Sequence, residues 1–222
     1  MKRINILVEG QTEETFVRDV LAAHYNAQGI YFNPILAETS PGHKGGIVSY
    51  GKVKNQLTKL CRQDKKAYVT TMIDFYGLPT CFPGVRAQNY PTGALASAQV
   101  EFLEDRLKIN IGESNFIPFL MLHEYEALLF CQPEKFSDWV DGKTATAVEQ
   151  LSAVAADFNS PEDINNSPQT APSKRIESIV PQYKKTLHGP IIAADIGLDR
   201  IRQKCPHFDG WLKSIEQLPE LG

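Results

Sequence analysis

Over the first 130 residues, short runs rich in branched apolar side chains alternate with segments whose apolar positions recur at helical spacing. That alternation leaves few folds open, because such strands joined by helices lie parallel in one sheet with the helices on its faces. Residues 4–8 form the first run and Gly10 closes it. Phe16, Val17, Val20, Leu21 and Ala23 then keep helical spacing up to Gly29, with Thr12 placed to cap the helix. Residues 31–36 read as a second strand, and Pro34 suits an edge position because proline offers no N–H to a ladder. An amphipathic helix over 50–60 carries Lys52, Lys54 and Lys59 outward, and a buried strand over 67–73 runs into Asp74. A helix over 94–107, a strand over 116–122 and the start of a helix over 124–130 complete the series. The expected fold is α/β, a mainly parallel sheet flanked by helices.

From Pro133 the strand signals fade, and residues 144–158, 173–180 and 191–204 read as helices. The expected division is an α/β domain over 1–132 and a helical C-terminal extension over 133–222 packed on it. Two loops stand out. Residues 39–46 hold three glycines and Lys44 but lack the Gly-Lys-Ser/Thr of a phosphate-binding P-loop. Residues 75–92 hold three prolines and Arg86 and are long enough to cover a site.

Composition narrows the function. No apolar run approaches the ~20 residues of a membrane span, and the N-terminus does not read as a secretory signal, so a cytoplasmic protein without membrane contact is expected. Cys61, Cys81, Cys131 and Cys205 show no paired spacing, as free thiols in a reducing compartment would not. Lys and Arg total 23 against 26 acids, a net charge of -3. Residues 1–132 balance at 13 of each sign, residues 133–170 hold 2 basic and 7 acidic, and residues 171–222 hold 8 and 6. An acidic stretch thus separates a neutral body from a mildly basic tail.

Ligands of open parallel sheets bind beyond the carboxyl ends of the strands, and here those ends are acidic. Strand one ends in Glu9 with Glu13 one helical turn on, strand three in Asp74, and strand four runs into His123-Glu124-Tyr125-Glu126. Gathered carboxylates repel unless protons or cations neutralise them, and an oxygen-only set suits Mg²⁺ or Mn²⁺. Each acid also has a plainer use: Glu13 at a helix N-terminus, Asp74 in an Asx turn, one acid of the last group at a helix start. Glu9, directly after Ile6, Leu7 and Val8 and before a glycine, has fewest. Lys174, Arg175, Lys184, Lys185 and His188 against the single Glu177 make a basic patch for phosphate, with Pro172 and Ser173 opening a helix N-terminus beside it; a solvated helix face would carry the same residues. A zinc site has no ligand spacing to stand on, and Ser/His/Asp catalysis has no nucleophile elbow.

Val8-Glu9-Gly10-Gln11-Thr12-Glu13-Glu14, Met72-Ile73-Asp74-Phe75-Tyr76-Gly77-Leu78-Pro79 and His123-Glu124-Tyr125-Glu126-Ala127-Leu128-Leu129-Phe130 resemble, in that order, the motifs of a bacterial family of unknown function, number 4276, with a Toprim-like fold. The match continues through Ala171-Pro172-Ser173-Lys174-Arg175-Ile176, Leu187-His188-Gly189-Pro190 and Ile196-Gly197-Leu198. The resemblance implies a kinship with OLD-type nucleases of phage defence, whose genes sit beside AAA or ABC-type ATPases. It makes Glu9 the Toprim glutamate, Glu13 a second acid used by OLD-type enzymes, and Asp74 the first acid of the Asp-x-Asp motif. Tyr76 stands where the second aspartate would be, so the cluster is complete only if Glu124 or Glu126 joins it.

The expected function is therefore a Mg²⁺- or Mn²⁺-dependent nuclease acting on DNA or RNA, the effector of an ATPase-coupled anti-phage system. Glu9, Glu13, Asp74, Glu124 and Glu126 are the candidate catalytic residues, with the metal on Glu9, Asp74 and Glu126. Nucleic acid and an ATPase subunit are the expected partners, and a homo-oligomer is left open. The alternatives are a catalytically silent Toprim-like subunit that binds nucleic acid or regulates the ATPase, and a phosphatase or phosphotransferase acting on a small molecule.

Overall fold

The computed structural model describes residues 1–38, 49–142, 144–165 and 169–221. Lys44 and the glycine-rich segment 39–46 lie outside them. Among the described residues five strands form one sheet: β1 (Lys2–Val8), β2 (Ile30–Leu36), β3 (Tyr68–Asp74), β4 (Phe116–Ile117) and β5 (Leu120–Met121). The order is β2-β1-β3-β4, with β5 also on β3, and every pairing is parallel. All seven residues of β3 are buried, as a central strand demands, while Pro34 falls on the edge strand β2, opposite Ile6.

The strand expected over 116–122 is split. Val69 pairs with Phe116 and Ile73 with Leu120, the same register on either side of Pro118. Across the break the Thr71 hydroxyl replaces the ladder, donating to the Phe119 carbonyl at 2.6 Å and accepting from the Phe119 N–H at 3.0 Å.

Helices α1 (Gln11–Phe16) and α2 (Ala22–Tyr25) are joined through a π-helical turn, Val17–Leu21. The extra residue of that turn rotates the following side chains by about 100°. Tyr25 therefore enters the core, and Ala23, expected there, faces solvent. Thr12 does not cap: it lies buried inside α1, and Gly10 stands at the N-cap without a side-chain hydrogen bond. The chain leaves through left-handed Gly29 (φ 74°).

Helices α3 (Tyr50–Gln63) and α4 (Ala96–Ile111) cover the other sheet face. The long loop 75–92 is a succession of turns docked on that same core through buried Phe82, and Arg86 donates to Thr80 Oγ1 at 3.0 Å. Residues Tyr125–Cys131, expected to begin an α-helix, form a 3₁₀ helix.

The C-terminal region is helical: α5 (Phe136–Trp139), α6 (Thr144–Ala156), α7 (Pro172–Ile179), α8 (Lys185–Ile196), α9 (Leu198–Lys204) and α10 (Pro206–Glu216). The single helix expected over 191–204 is two, divided at Gly197 (φ 82°), and α8 begins earlier and holds Pro190 inside it. Phe136, Ile176, Ile192, Phe208 and Trp211 join one apolar cluster with Ile4, Ile6, Phe16 and Met72. Trp211 stacks on Phe119 with 4.3 Å between centroids and donates to Thr70 Oγ1 at 3.0 Å. The helical region thus packs on the α1 face of the sheet. Among the described residues no helix is long and apolar enough to cross a membrane.

Candidate active site

From β1 the chain passes to β2 on one side, and from β3 to β4 on the other. Where such connections diverge, a crevice opens beyond the strand ends. Glu9 directly follows β1 and Asp74 ends β3, so both stand at that divergence, and the Asp74 N–H donates to Glu9 Oε2 at 3.2 Å. Gly10 brings Glu13 to the same place. A Cβ at position 10 would lie 3.1 Å from Glu13 Oε2, so the missing side chain lets that buried carboxylate fold back over the turn.

The remaining acids are tethered in series. Asp74 Oδ1 accepts from the Tyr125 N–H at 3.1 Å, which fixes the start of the 3₁₀ helix between Glu124 and Glu126. Glu124 Oε2 accepts from the Ser173 N–H at 2.9 Å, at the first turn of α7. Glu126, fully buried, accepts from Lys185 Nζ at 3.1 Å, at the start of α8. Glu9, Asp74, Glu124 and Glu126 are each held by a donor from a later segment of chain, so β1, β3, the 3₁₀ helix, α7 and α8 converge on one acidic cluster. His123, at φ 64°, supplies the bend that aims Tyr125 at Asp74, and its carbonyl accepts from the Tyr76 N–H at 2.9 Å. A left-handed non-glycine residue costs about 1–2 kcal/mol and marks a bend that the surroundings enforce.

Burial and crowding dominate the electrostatics. Burial, reinforced by Glu13 and Glu124, pushes the Glu9 carboxyl up to about 7 despite the Asp74 N–H and Lys185. Burial, then Glu9 and Glu13, raise Asp74 well above the carboxylate range. Burial also raises Glu126 to about 7, although Lys185 opposes the shift. Lys185 itself is half exposed; burial works against its charge, but Glu126, Asp74 and Glu13 hold its pKa above the ordinary lysine value. Glu126 Oε1 and the Tyr183 hydroxyl are buried without a hydrogen-bond partner among the described residues.

Among the described residues, five carboxylates thus share a site with one ammonium in contact, and Glu9, Asp74 and Glu126 are driven toward protonation. Oxygen-only donors with excess negative charge and an unsatisfied buried Glu126 oxygen fit a hard divalent cation. Among the described residues, no three His, Cys, Asp or Glu side chains already stand in ligating geometry.

The structure brings together all five expected acids. Of the five basic residues it brings in Lys185 alone. Lys174 pairs with Glu177 at 2.7 Å, and Arg175 donates to the Thr170 carbonyl and lies over the Phe158 ring. His188 Nδ1 accepts from the Lys184 N–H at 2.9 Å, capping the start of α8. The α7 N-terminus, expected to receive a phosphate, instead gives its Ser173 N–H to Glu124. Sequence reasoning missed this bond and the Lys185–Glu126 pair. Pro172, a residue favoured at the first position of a helix, marked the amide, but nothing local tied it to an acid 49 positions away.

Fold and site together define a doubly wound parallel α/β protein with an acidic centre at its topological switch point. The chain belongs to the family described as a domain of unknown function (DUF4276), which matches residues 8–216. No curated protein and no solved structure matches it.

Proposed function

We propose that this protein is a Mg²⁺- or Mn²⁺-dependent nuclease with a Toprim-like centre. The observation that carries the reading is the convergence of Glu9, Glu13, Asp74, Glu124 and Glu126 at the switch point, with Lys185 the one cation in contact among the described residues. Glu9, Asp74 and Glu126 would hold the metal, which when bound supplies Lewis-acid stabilisation to a phosphodiester and to its attacking or leaving oxygen. Glu13 and Glu124 would orient those ligands. Glu13 or Glu124, outside that ligand set, would accept a proton from the attacking water. The half-exposed ammonium of Lys185 would offset charge that develops on a phosphate. The substrate would be DNA or RNA, the partner an AAA or ABC-type ATPase, the setting cytoplasmic antiviral defence.

The test is cleavage of single- and double-stranded DNA and RNA in Mg²⁺ or Mn²⁺, with and without the ATPase. Intact substrates under every condition would end the nuclease reading. Mn²⁺ calorimetry needs no substrate, and Glu9→Gln and Asp74→Asn should each abolish the binding seen in the wild type. A second reading rests on Tyr76, which is 39% exposed beside Asp74 at the position where the Toprim motif has an acid. A subunit that binds nucleic acid or regulates the ATPase without cleaving would retain partner binding in both variants.

A further inference from the structure

Cys131 and Cys205 are 74 positions apart, yet their sulfurs lie 3.4 Å from each other. Cys131 ends the 3₁₀ helix that carries Glu126, and Cys205 stands at the joint between α9 and α10. Both thiols are buried, at 4% and 0% exposure, and Cys61 and Cys81 stand apart from them. A disulfide needs about 2.0 Å between sulfurs, so the pair must close by about 1.4 Å. Each sulfur sits at the end of a helical element, where a small backbone shift suffices and no strand register is disturbed.

We propose that Cys131 and Cys205 are a disulfide-forming dithiol, closed by a small hydroperoxide and opened by a thiol reductant. In the balanced reaction the Cys131 thiolate attacks the peroxide oxygen and releases an alcohol or water, leaving a sulfenic acid. The Cys205 sulfur then displaces the sulfenic oxygen as water. Two thiol hydrogens and two electrons leave the protein, and the O–O bond of the oxidant is reduced. Cys131 is the less enclosed of the two residues and so the first to react. Burial, with Cys131 beside it, holds the Cys205 thiol well above its ordinary pKa, so the pair reacts slowly and only with oxidants that fit between packed helices. Exposed Cys81 has no such protection and no thiol beside it.

The bond would join the segment that carries Glu126 to the helices that clamp the sheet through Trp211. It would fix that segment without touching the acids, so the proposal stands whether or not the site cleaves nucleic acid.

The test uses the full chain, reduced, treated with hydrogen peroxide, then denatured and labelled with N-ethylmaleimide before peptide mapping. Cys131 and Cys205 should both become unreactive, a peptide joining 131 to 205 should appear with the loss of two hydrogens, and dithiothreitol should restore the labelling of both. Cys81→Ser should leave the result unchanged, and Cys131→Ala should return Cys205 to full labelling. The wild-type map decides the matter even where the alanine variant does not fold. Four labelled thiols after oxidation of the reductively prepared protein, or a bridge that runs to Cys61 or Cys81 instead, would overturn the assignment.

Discussion

Replacing Glu126 by Gln should stabilise the metal-free protein at high pH and leave it nearly unchanged at low pH. The Glu126 carboxyl rises from 4.5 to about 7 on folding, chiefly through burial. A group with a raised folded pKa binds its proton more tightly in the folded state, so its favourable contribution is complete below about pH 4.5 and is lost as pH climbs through about 7. At about 1.36 kcal/mol per unit, that loss is about 3 kcal/mol by pH 8. Glutamine keeps an oxygen for the Lys185 ammonium and has no proton to lose. The advantage of the variant over the wild type should therefore grow by about 2–3 kcal/mol between pH 5 and pH 8, or roughly 4–12 °C in Tm for a chain of this length. Thermal unfolding in a chelator, at both pH values, reads this difference directly. Added Mn²⁺ at pH 8 should reverse the order, because only the wild type retains the ligand. A pH-independent difference between the two proteins would show that Glu126 is not held ionised against a burial cost, and the electrostatic argument would fail.

Mn²⁺ affinity should rise with pH through about 7, since the Glu9 and Asp74 protons must leave before the ion can bind; calorimetry at pH 6 and pH 8 measures it, and a flat profile would contradict the raised acids. Gly189→Ala should lower stability by about 1–2 kcal/mol by chemical denaturation, because the new Cβ would stand 3.1 Å from the Tyr183 hydroxyl and 3.2 Å from the Thr12 methyl, both buried. An equally stable variant would mean that α8 can move off α1. Phe119→Ala should cost about 3–5 kcal/mol, since its ring lies stacked on Trp211 and on His207 in the main core; a loss under 1 kcal/mol would refute that packing.

Strands β1, β2 and β3 were legible because each is a largely apolar run with a glycine or an acid at one end, and because Pro34 suits an edge; the break at Pro118 between β4 and β5 was not read. The acids at the strand ends were legible for the same reason, since a carboxylate closing a buried strand has few structural uses. Phase errors account for much of the rest. One π-turn residue moved Tyr25 into the place expected for Ala23, and the Ala127 to Phe130 run satisfies a 3₁₀ helix as well as an α-helix. The division of 191–204 at left-handed Gly197 and the start of the last helix at Pro206 carry local signals, a glycine stop and a proline at the first helical position, that the periodicity reading passed over. Pairings between distant segments left no trace: Lys185 to Glu126 spans 59 positions and Cys131 to Cys205 spans 74.

The serial tethering of the acids makes a prediction about how the chain divides. Strand signals stop near residue 132, which suggests a cut leaving an intact α/β unit. In the structure, however, the donors that hold Glu124 and Glu126 are Ser173 and Lys185, beyond that cut. Removing them would leave two buried carboxylates without partners, at a cost of about 1–3 kcal/mol or more each. The same cut would strip α8 and α10 from the sheet and expose Ile4, Ile6, Phe16, Met72 and Phe119, all fully or almost fully buried. At about 1.5–3 kcal/mol per large apolar side chain, the apolar loss alone matches the whole stability of an ordinary domain, about 5–15 kcal/mol. A fragment of residues 1–132 should therefore show no cooperative thermal transition and should bind hydrophobic dyes. A cooperative melt from that fragment would mean that the acidic centre is assembled by the first half of the chain and merely covered by the second.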